Sequence, residues 1–392
     1  MNKGAGDCWI IKLDYSGAIE WQKTFGGTFN DNGKCIRQTL DGGYVVAGNT
    51  ESSDGDVTVN FGASDCWILK LDSYGMIEWE KTLGGSSYDY AQDIKQTSDG
   101  GYVLCGGTHS TDGDVSEQNG NGDSWIVKLN NSGNIIWEYS FGGSNYDFAQ
   151  SIEITTDGGY ILAGYSESND GDVTSTHGGG DCWIIKCNNV GNLLWQKSLG
   201  SSGNDYSYCI QQLISGGYIL TGYSEANDGD VTGNHGNYDC WIVQLDSDGI
   251  LEMQKSFGGT GVDIGYSIRQ TSGVSYTIAG YSESNDGDVT GSHAGGDSWL
   301  ISLSSLSLEV EGALQLFTFK VLPNPSTGNF IFLGLETGSS IEIYDVSGRI
   351  VFQTKETTMN YSVDLNEQAK GVYFYNVIMK STECIKGKIV LN

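Results

Sequence analysis

Five acidic loops carry the most chemically suggestive pattern in the chain. An Asp-Gly-Asp-Val tetrapeptide pairs carboxylates at Asp54 and Asp56, Asp112 and Asp114, Asp170 and Asp172, Asp228 and Asp230, and Asp286 and Asp288. Alternating carboxylates around a glycine, with Asn and Ser neighbours, can supply the hard oxygen ligands that Ca²⁺ takes. Each loop ends in a further Asp (Asp65, Asp123, Asp181, Asp239, Asp297), and most begin with a Glu such as Glu167 or Glu225. A hydrated turn is the competing reading. The spacing is not that of an EF-hand, and Asp before Gly is a common turn former whose carboxylate accepts hydrogen bonds from nearby backbone. Calcium is therefore the one cofactor the loops suggest, with both readings open. His177, His235 and His293 share one loop position, but no Cys or second His stands at zinc spacing, so a polar loop role is expected.

No nucleophile elbow, phosphate loop or isolated acid and base pair interrupts the pattern. Catalysis usually needs one asymmetric constellation of differently tuned groups. No catalytic residue and no enzyme activity is expected, although a polysaccharide-active enzyme is the alternative. It would require one blade to place a unique His, Arg or Tyr cluster in the channel.

What positions these loops is a repeat. Trp9, Trp67, Trp125, Trp183, Trp241 and Trp299 recur at a constant interval of 58 residues. A second series, Trp21, Trp79, Trp137 and Trp195, keeps the same interval until Met253 breaks it. One supersecondary unit is multiplied, and each unit needs its neighbours to bury its apolar face. Within a unit, YILAGYSE, DCWIIKCN, LLWQKSLG and YSYCIQQL read as strands separated by Gly, Asn and Asp turns, and no stretch has helical periodicity. Four strands in each unit predict an all-β propeller of five or more blades. The strand order resembles that of WD-type and quinoprotein-type propellers. That likeness implies that YILAGYSE is innermost, where Ala163 and Gly164 permit crowding, and that the Trp strand is second. The chain would then hold three strands of one blade, four whole blades and two strands of another. The turns at Asp41, Asp99 and Asp157 resemble a loose Asp-box hairpin of sialidases. Only Arg37 and Arg269 fall in the repeat region, too few for the arginine cluster of that family, so the likeness implies structure alone.

Asp plus Glu outnumber Lys plus Arg by 49 to 20, giving a formal charge of −29. Such a field repels polyanions, which argues against nucleic-acid and anionic-membrane partners. No apolar run approaches the length of a membrane span. Gly4 to Asp7 align with Gly178 to Asp181 inside a repeat loop. The expectation is an N-terminally truncated chain whose signal peptide is lost with the missing portion. Of nine cysteines, Cys8 with Cys35 and Cys182 with Cys209 recur 27 residues apart, a spacing that leaves both buried thiols and disulfides open.

The style of the chain changes between 304 and 316, read as a linker between the propeller at 1–303 and a second domain at 317–392. There, hairpin signals and alternation predict a small immunoglobulin-like β-sandwich. The ordered motifs PNPSTGNF, IEIYDVSGRIV and KGVYFYNV, followed by a Lys-rich final strand, resemble the type A sorting domain of the Bacteroidota type IX secretion system. Pro323, Asn324, Pro325, Gly328, Tyr344, Asp345, Gly348, Gly371 and Tyr373 carry the match. The resemblance implies that the type IX machinery is a partner, that the chain passes the periplasm, and that it ends secreted or attached at the outer-membrane surface. Tyr165, Tyr223 and Tyr281 beside the acidic loops read either as a rim that resembles carbohydrate-binding surfaces or as rings packed between blades, and both readings stay open. The expected function is an exported binding or adhesion module for an extracellular glycan or protein. A calcium-dependent structural surface protein is the third reading.

Overall fold

The computed structural model describes residues 4–272, 275–290, 295–303, 320–322, 324–333, 335, 338–355, 357–358, 360–379 and 384–392. Two compact units, Met1–Ser307 and Leu308–Asn392, divide the chain, and every regular element among the described residues is a strand. The linker expected at 304–316 lies outside the described residues, as do His293 and Pro323.

In the N-terminal unit each repeat becomes a sheet of antiparallel strands. The third blade runs Asp147–Ile154, Tyr160–Ser166, Asp181–Cys187 and Leu193–Leu199, hydrogen-bonded in that order. Blades of the same construction begin at Asp31, Asp89 and Asp205; a two-stranded sheet, Cys8–Leu13 with Ile19–Phe25, precedes them and a three-stranded one beginning at Asp263 follows. The first strands Asp31–Gln38, Asp89–Gln96, Asp147–Ile154, Asp205–Gln212 and Asp263–Ser272 pack in succession and line one central cavity. They are the innermost strands of a propeller-like fold.

This corrects the expected order. The Tyr-led strand is second rather than innermost, the Trp strand third, and the strand read as outermost opens the next blade. The chain accordingly holds two strands before the four whole blades and three after them. Ala163 and Gly164 are small for another reason than crowding at the axis. A bulge between Ala149 and Ser151 pushes the inner strand toward its partner, so a Cβ on Gly164 would stand 1.8 Å from the Phe148 carbonyl oxygen. The same approach recurs at Gly48, Gly106 and Gly222, which makes this glycine a register pin for the inner strand. Gly164→Ala is expected to lower unfolding stability by roughly 3 kcal/mol through overpacking. Gly158→Ala strains only a turn glycine at φ +82° with open space around it, and should cost about 1 kcal/mol. Thermal melts of the two variants test this; equal losses would show that the close approach is not what the glycine serves.

Blades interlock through the tryptophans. Trp125 packs on Val45, Ala47 and Ile68 of the blade before it, Trp183 on Val103, Cys105 and Ile126, and Trp241 on Ile161, Ala163 and Ile184. The indole N–H groups of Trp125, Trp183 and Trp241 donate to Glu138, Gln196 and Gln254, each at 2.8 Å. Trp125 is 0% exposed, whereas Trp9, in the two-stranded sheet, is 62% exposed. Burial of one such indole is worth on the order of 5 kcal/mol before entropic costs. Cys8, Cys35, Cys182 and Cys209 are free thiols. Each pair joins a third strand to the inner strand of the following blade, so the recurrent spacing reflects the repeat and not a cross-link.

The C-terminal unit is a sandwich. One sheet joins Lys320–Leu322, Asn329–Leu333 and Asn360–Asp364, and the other orders Ile350–Thr354, Ser340–Tyr344, Gly371–Ile378 and Cys384–Leu391. Phe330, Phe332 and Val363 from the first sheet meet Ile341, Ile343, Tyr373, Val377 and Ile389 from the second in a single core.

Candidate functional site

The paired loop aspartates turn back onto the protein. Asp54 accepts the backbone N–H of Thr28 at 2.8 Å, and Asp112, Asp170, Asp228 and Asp286 accept those of Ser86, Ser144, Ser202 and Thr260 at 2.7 to 2.8 Å. Two residues on, Asp56, Asp114, Asp172, Asp230 and Asp288 accept the N–H of Gly26, Gly84, Gly142, Gly200 and Gly258 at 3.1 to 3.3 Å. All ten therefore latch the loop between second and third strands onto the turn that leads into the inner strand of the same blade. Val57, Val115, Val173, Val231 and Val289, next in sequence, are buried and anchor the loop.

A second set of carboxylates lies beneath. Asp89 accepts the Gly85 N–H and the Ser110 hydroxyl at 2.8 and 2.7 Å, and Asp147 treats Gly143 and Ser168 alike, both at 2.8 Å. Asp65 and Asp123, which end the loops, are fully buried; one oxygen of each accepts a loop N–H, while the other has no hydrogen-bond partner. Burial, reinforced by Asp89 and Asp114 around Asp65 and by Asp147 and Asp172 around Asp123, raises both carboxyls to about 6. Among the described residues no three acidic, His or Cys side chains are arranged to hold a metal ion. His177 and His235 pair with Asp181 and Asp239 of their own loops at 3.2 and 2.8 Å.

The repeats depart from one another at a cavity near the acidic loops. Between the second and third blades, at the end from which the acidic loops emerge, lies a cavity of about 350 Å³. Rings of Tyr90, Tyr146, Phe148 and Tyr165 line it beside Asp123, Asp147, Glu167 and His109. Two substitutions distinguish it. His109 occupies the position held by Glu51, Glu167, Glu225 and Glu283, and Gly107 the position held by Tyr165, Tyr223 and Tyr281. The Phe148 ring fills the space beside Gly107, where a Cβ would lie 2.3 Å from it. His109 Nδ1 stands 2.6 Å from the Asn121 carbonyl oxygen, which makes Nδ1 the donor; in the neutral ring Nε2 is then an acceptor. Its ring meets that of Tyr146 edge-on at 5.7 Å. An aromatic ladder continues from the cavity, Tyr90 to Phe148 at 6.2 Å, Phe148 to Tyr165 at 6.1 Å and Tyr165 to Tyr206 at 4.1 Å. Burial raises the Tyr165 phenol, keeping it a hydrogen-bond donor at neutral pH.

Sequence reading found Tyr165 but missed His109, Gly107 and Tyr146. For His109 and Gly107 the signal was a break in the repeat, visible only by comparing what differs at each 58-residue step, whereas Tyr146 repeats Tyr88.

In the C-terminal unit the motif residues build turns and fasten the chain end. Asn324 donates to the Lys388 carbonyl at 2.9 Å and accepts the Val390 N–H at 3.0 Å, while Ser326 and Asn392 bond each other's strand through backbone groups. Gly328, at φ +152°, leaves room for Asn366. Asp345 accepts the N–H groups of Ser347 and Arg349, both at 3.0 Å, around the turn at Gly348. Those bonds, led by the Ser347 hydroxyl, hold its carboxyl at about 2. Tyr373 is buried and donates to the Ala369 carbonyl. Residues 320–392 match the secretion system C-terminal sorting domain. A sorting domain of this kind marks a chain as secreted or attached at the outer-membrane surface.

The remaining similarities are distant. A curated relative, the regulatory protein FlaEY of Caulobacter vibrioides, is 24% identical over 224 residues, 52% of this chain and 23% of that protein. The chain thus spans less than a quarter of the relative it matches. Among solved structures, PorZ, described as a surface component of the type-IX secretion system of Porphyromonas gingivalis, is 14% identical with a TM-score of 0.26, over 95% of this chain and 62% of that one. The extracellular domain of BT4673 from B. thetaiotaomicron is 10% identical with a TM-score of 0.39, over 100% and 54%. A Bombyx mori GH32 beta-fructofuranosidase is 10% identical with a TM-score of 0.32, over 92% and 87%. No helix among the described residues is long and apolar enough to cross a membrane.

Proposed function

We propose that the N-terminal unit is a glycan-binding module, exported through the periplasm by type IX machinery that engages the sorting domain. The cavity between the second and third blades is its binding site. The observation that carries this reading is that two departures from the repeat meet at one cavity: His109 lines it, and Gly107 makes room for the Phe148 ring that lines it. Flat rings cover the C–H face of a pyranose, and Glu167 and His109 accept from its hydroxyls, the pairing of apolar wall and few polar groups that small-ligand sites use. Cleavage would require an acid that reaches the ligand, and Asp123, the wall residue whose carboxyl is raised to about 6, is fully buried. Binding is the reading its placement favours.

A glycan array probed with the full chain, with calcium and with chelator, tests the proposal. Saturable binding to a saccharide class is expected, weakened at least tenfold by His109→Glu, which restores the residue of the other blades, and by Tyr146→Ala. An empty array from folded protein, or binding indifferent to both variants, would sink the assignment.

A further inference from the structure

A second departure from symmetry lies at the centre of the blades. The inner strands surround a cavity of about 340 Å³. Three series of positions spaced by the repeat contribute to its wall: Lys34, Gln92, Gln150, Tyr208 and Tyr266; Cys35, Asp93, Ser151, Cys209 and Ser267; and, from the third, Arg37, Lys95 and Arg269, with Glu153 and Gln211 at the matching positions of the other two blades. Between them runs Ile36, Ile94, Ile152, Ile210 and Ile268, the same residue in every blade. A repeat that keeps its packing residue constant while varying the wall residues on either side specifies that wall one position at a time.

The wall is cationic in a chain of charge −29. Both arginines of the repeat region, Arg37 and Arg269, line it with Lys34 and Lys95. Two of the four are neutralised: Arg37 pairs with Asp93 at 2.9 Å, and Lys95 with Glu153 at 2.9 Å and Asp93 at 3.8 Å. Arg269 gives one bond to the Ile268 carbonyl at 2.9 Å and one to the Cys209 sulfur at 3.5 Å. Among the described residues no carboxylate pairs with Arg269 or Lys34. Tyr208 and Tyr266, with rings 5.1 Å apart, set an aromatic surface beside these charges.

We propose that the central cavity is a binding site, separate from the loop-end cavity, for an acidic sugar residue whose single anionic group, a carboxylate or a sulfate ester, lies against Arg269 and Lys34. The guanidinium fork suits a planar or tetrahedral oxyanion, Tyr208 and Tyr266 offer ring faces to the pyranose, and the amides of Gln92 and Gln150 serve its hydroxyls. The negative field of the whole chain opposes polyanions at long range, which selects a singly charged group at the wall over an extended polyanion.

Calorimetric titration of the full chain with galacturonic acid, galactose 6-sulfate and galactose tests this. Saturable binding of at least one acidic sugar and none of galactose is expected, and whichever acid binds identifies the anion. Arg269→Gln and Lys34→Gln should each weaken that binding at least tenfold without lowering the melting temperature, Arg269→Lys should keep part of it, and His109→Glu should leave it unchanged. Equal binding of galactose, no binding of either acid, or affinity indifferent to both charge variants would overturn the proposal. Loss of array binding in His109→Glu with the acidic-sugar titration intact would separate the two sites.

Discussion

Removal of residues 320–392 is expected to leave the N-terminal unit inside the cell envelope of a host with type IX machinery, with none on the surface or in the medium. The matched domain is a compact unit with its own core, so its loss need not disturb the blades. A subtler variant reaches the same end. Phe330 is fully buried between the two sheets, and Phe→Ala in such a core costs roughly 3–5 kcal/mol, about all that a sandwich of this size possesses. Phe330→Ala should therefore abolish export while the N-terminal unit still melts cooperatively. Cell fractionation with a blot against the N-terminal unit reads both, and secretion of the truncated chain would refute the sorting role. Asn324→Ala, which frees the terminal strand near Lys388 and Val390, should export less than the unaltered chain and more than Phe330→Ala. It removes two hydrogen bonds and no core.

How far such expectations could be read without coordinates differs from place to place. The tryptophan interval sufficed for the all-β repeat because each indole must be covered by the neighbouring blade, as Trp125 and Trp183 are. Strand order was misread at Gly164. Small residues near an axis and small residues opposite a bulge look alike in a sequence, and only the Phe148 carbonyl tells them apart. The loop aspartates were recognised as a set, yet their partners at Gly26, Thr28 and their equivalents lie about 26 to 30 residues away, beyond any local turn rule. Arg37 and Arg269 were dismissed as too few for one known chemistry. Their repeat register, 232 positions apart in sequence, is what brings both to the central wall.

The melting temperature is expected to peak near pH 4 and to fall on either side, in calcium-free buffer. Asp65 and Asp123 have folded values of about 6, above the roughly 4 of an unfolded Asp. The folded state binds their protons more tightly, so stability is lost as pH rises from about 4 through 6 and stays lost at neutrality. Asp41, Asp99 and Asp157 behave oppositely. Asp41 and Asp99, led by the hydroxyls of Thr39 and Thr97, and Asp157, against its own burial, through Thr155, Gly159 and Lys186, are held at about 2. Their stabilisation is present above pH 4 and is lost as pH falls toward 2. Asp123→Asn removes a buried charge that lacks a partner for one oxygen and should raise stability at pH 7.5, by an amount on the order of 1–2 kcal/mol. Bound calcium would invert that sign. An ion among the loop carboxylates would hold them ionised, so millimolar calcium would raise the melting temperature at pH 7.5 and Asp123→Asn would then destabilise. Scanning the full chain from pH 3 to 8, with calcium and with chelator, separates the two readings of the acidic loops. A melting temperature that climbs steadily to pH 8 in chelator would contradict the buried-carboxylate account, and one indifferent to calcium throughout would leave the aspartates as latches alone.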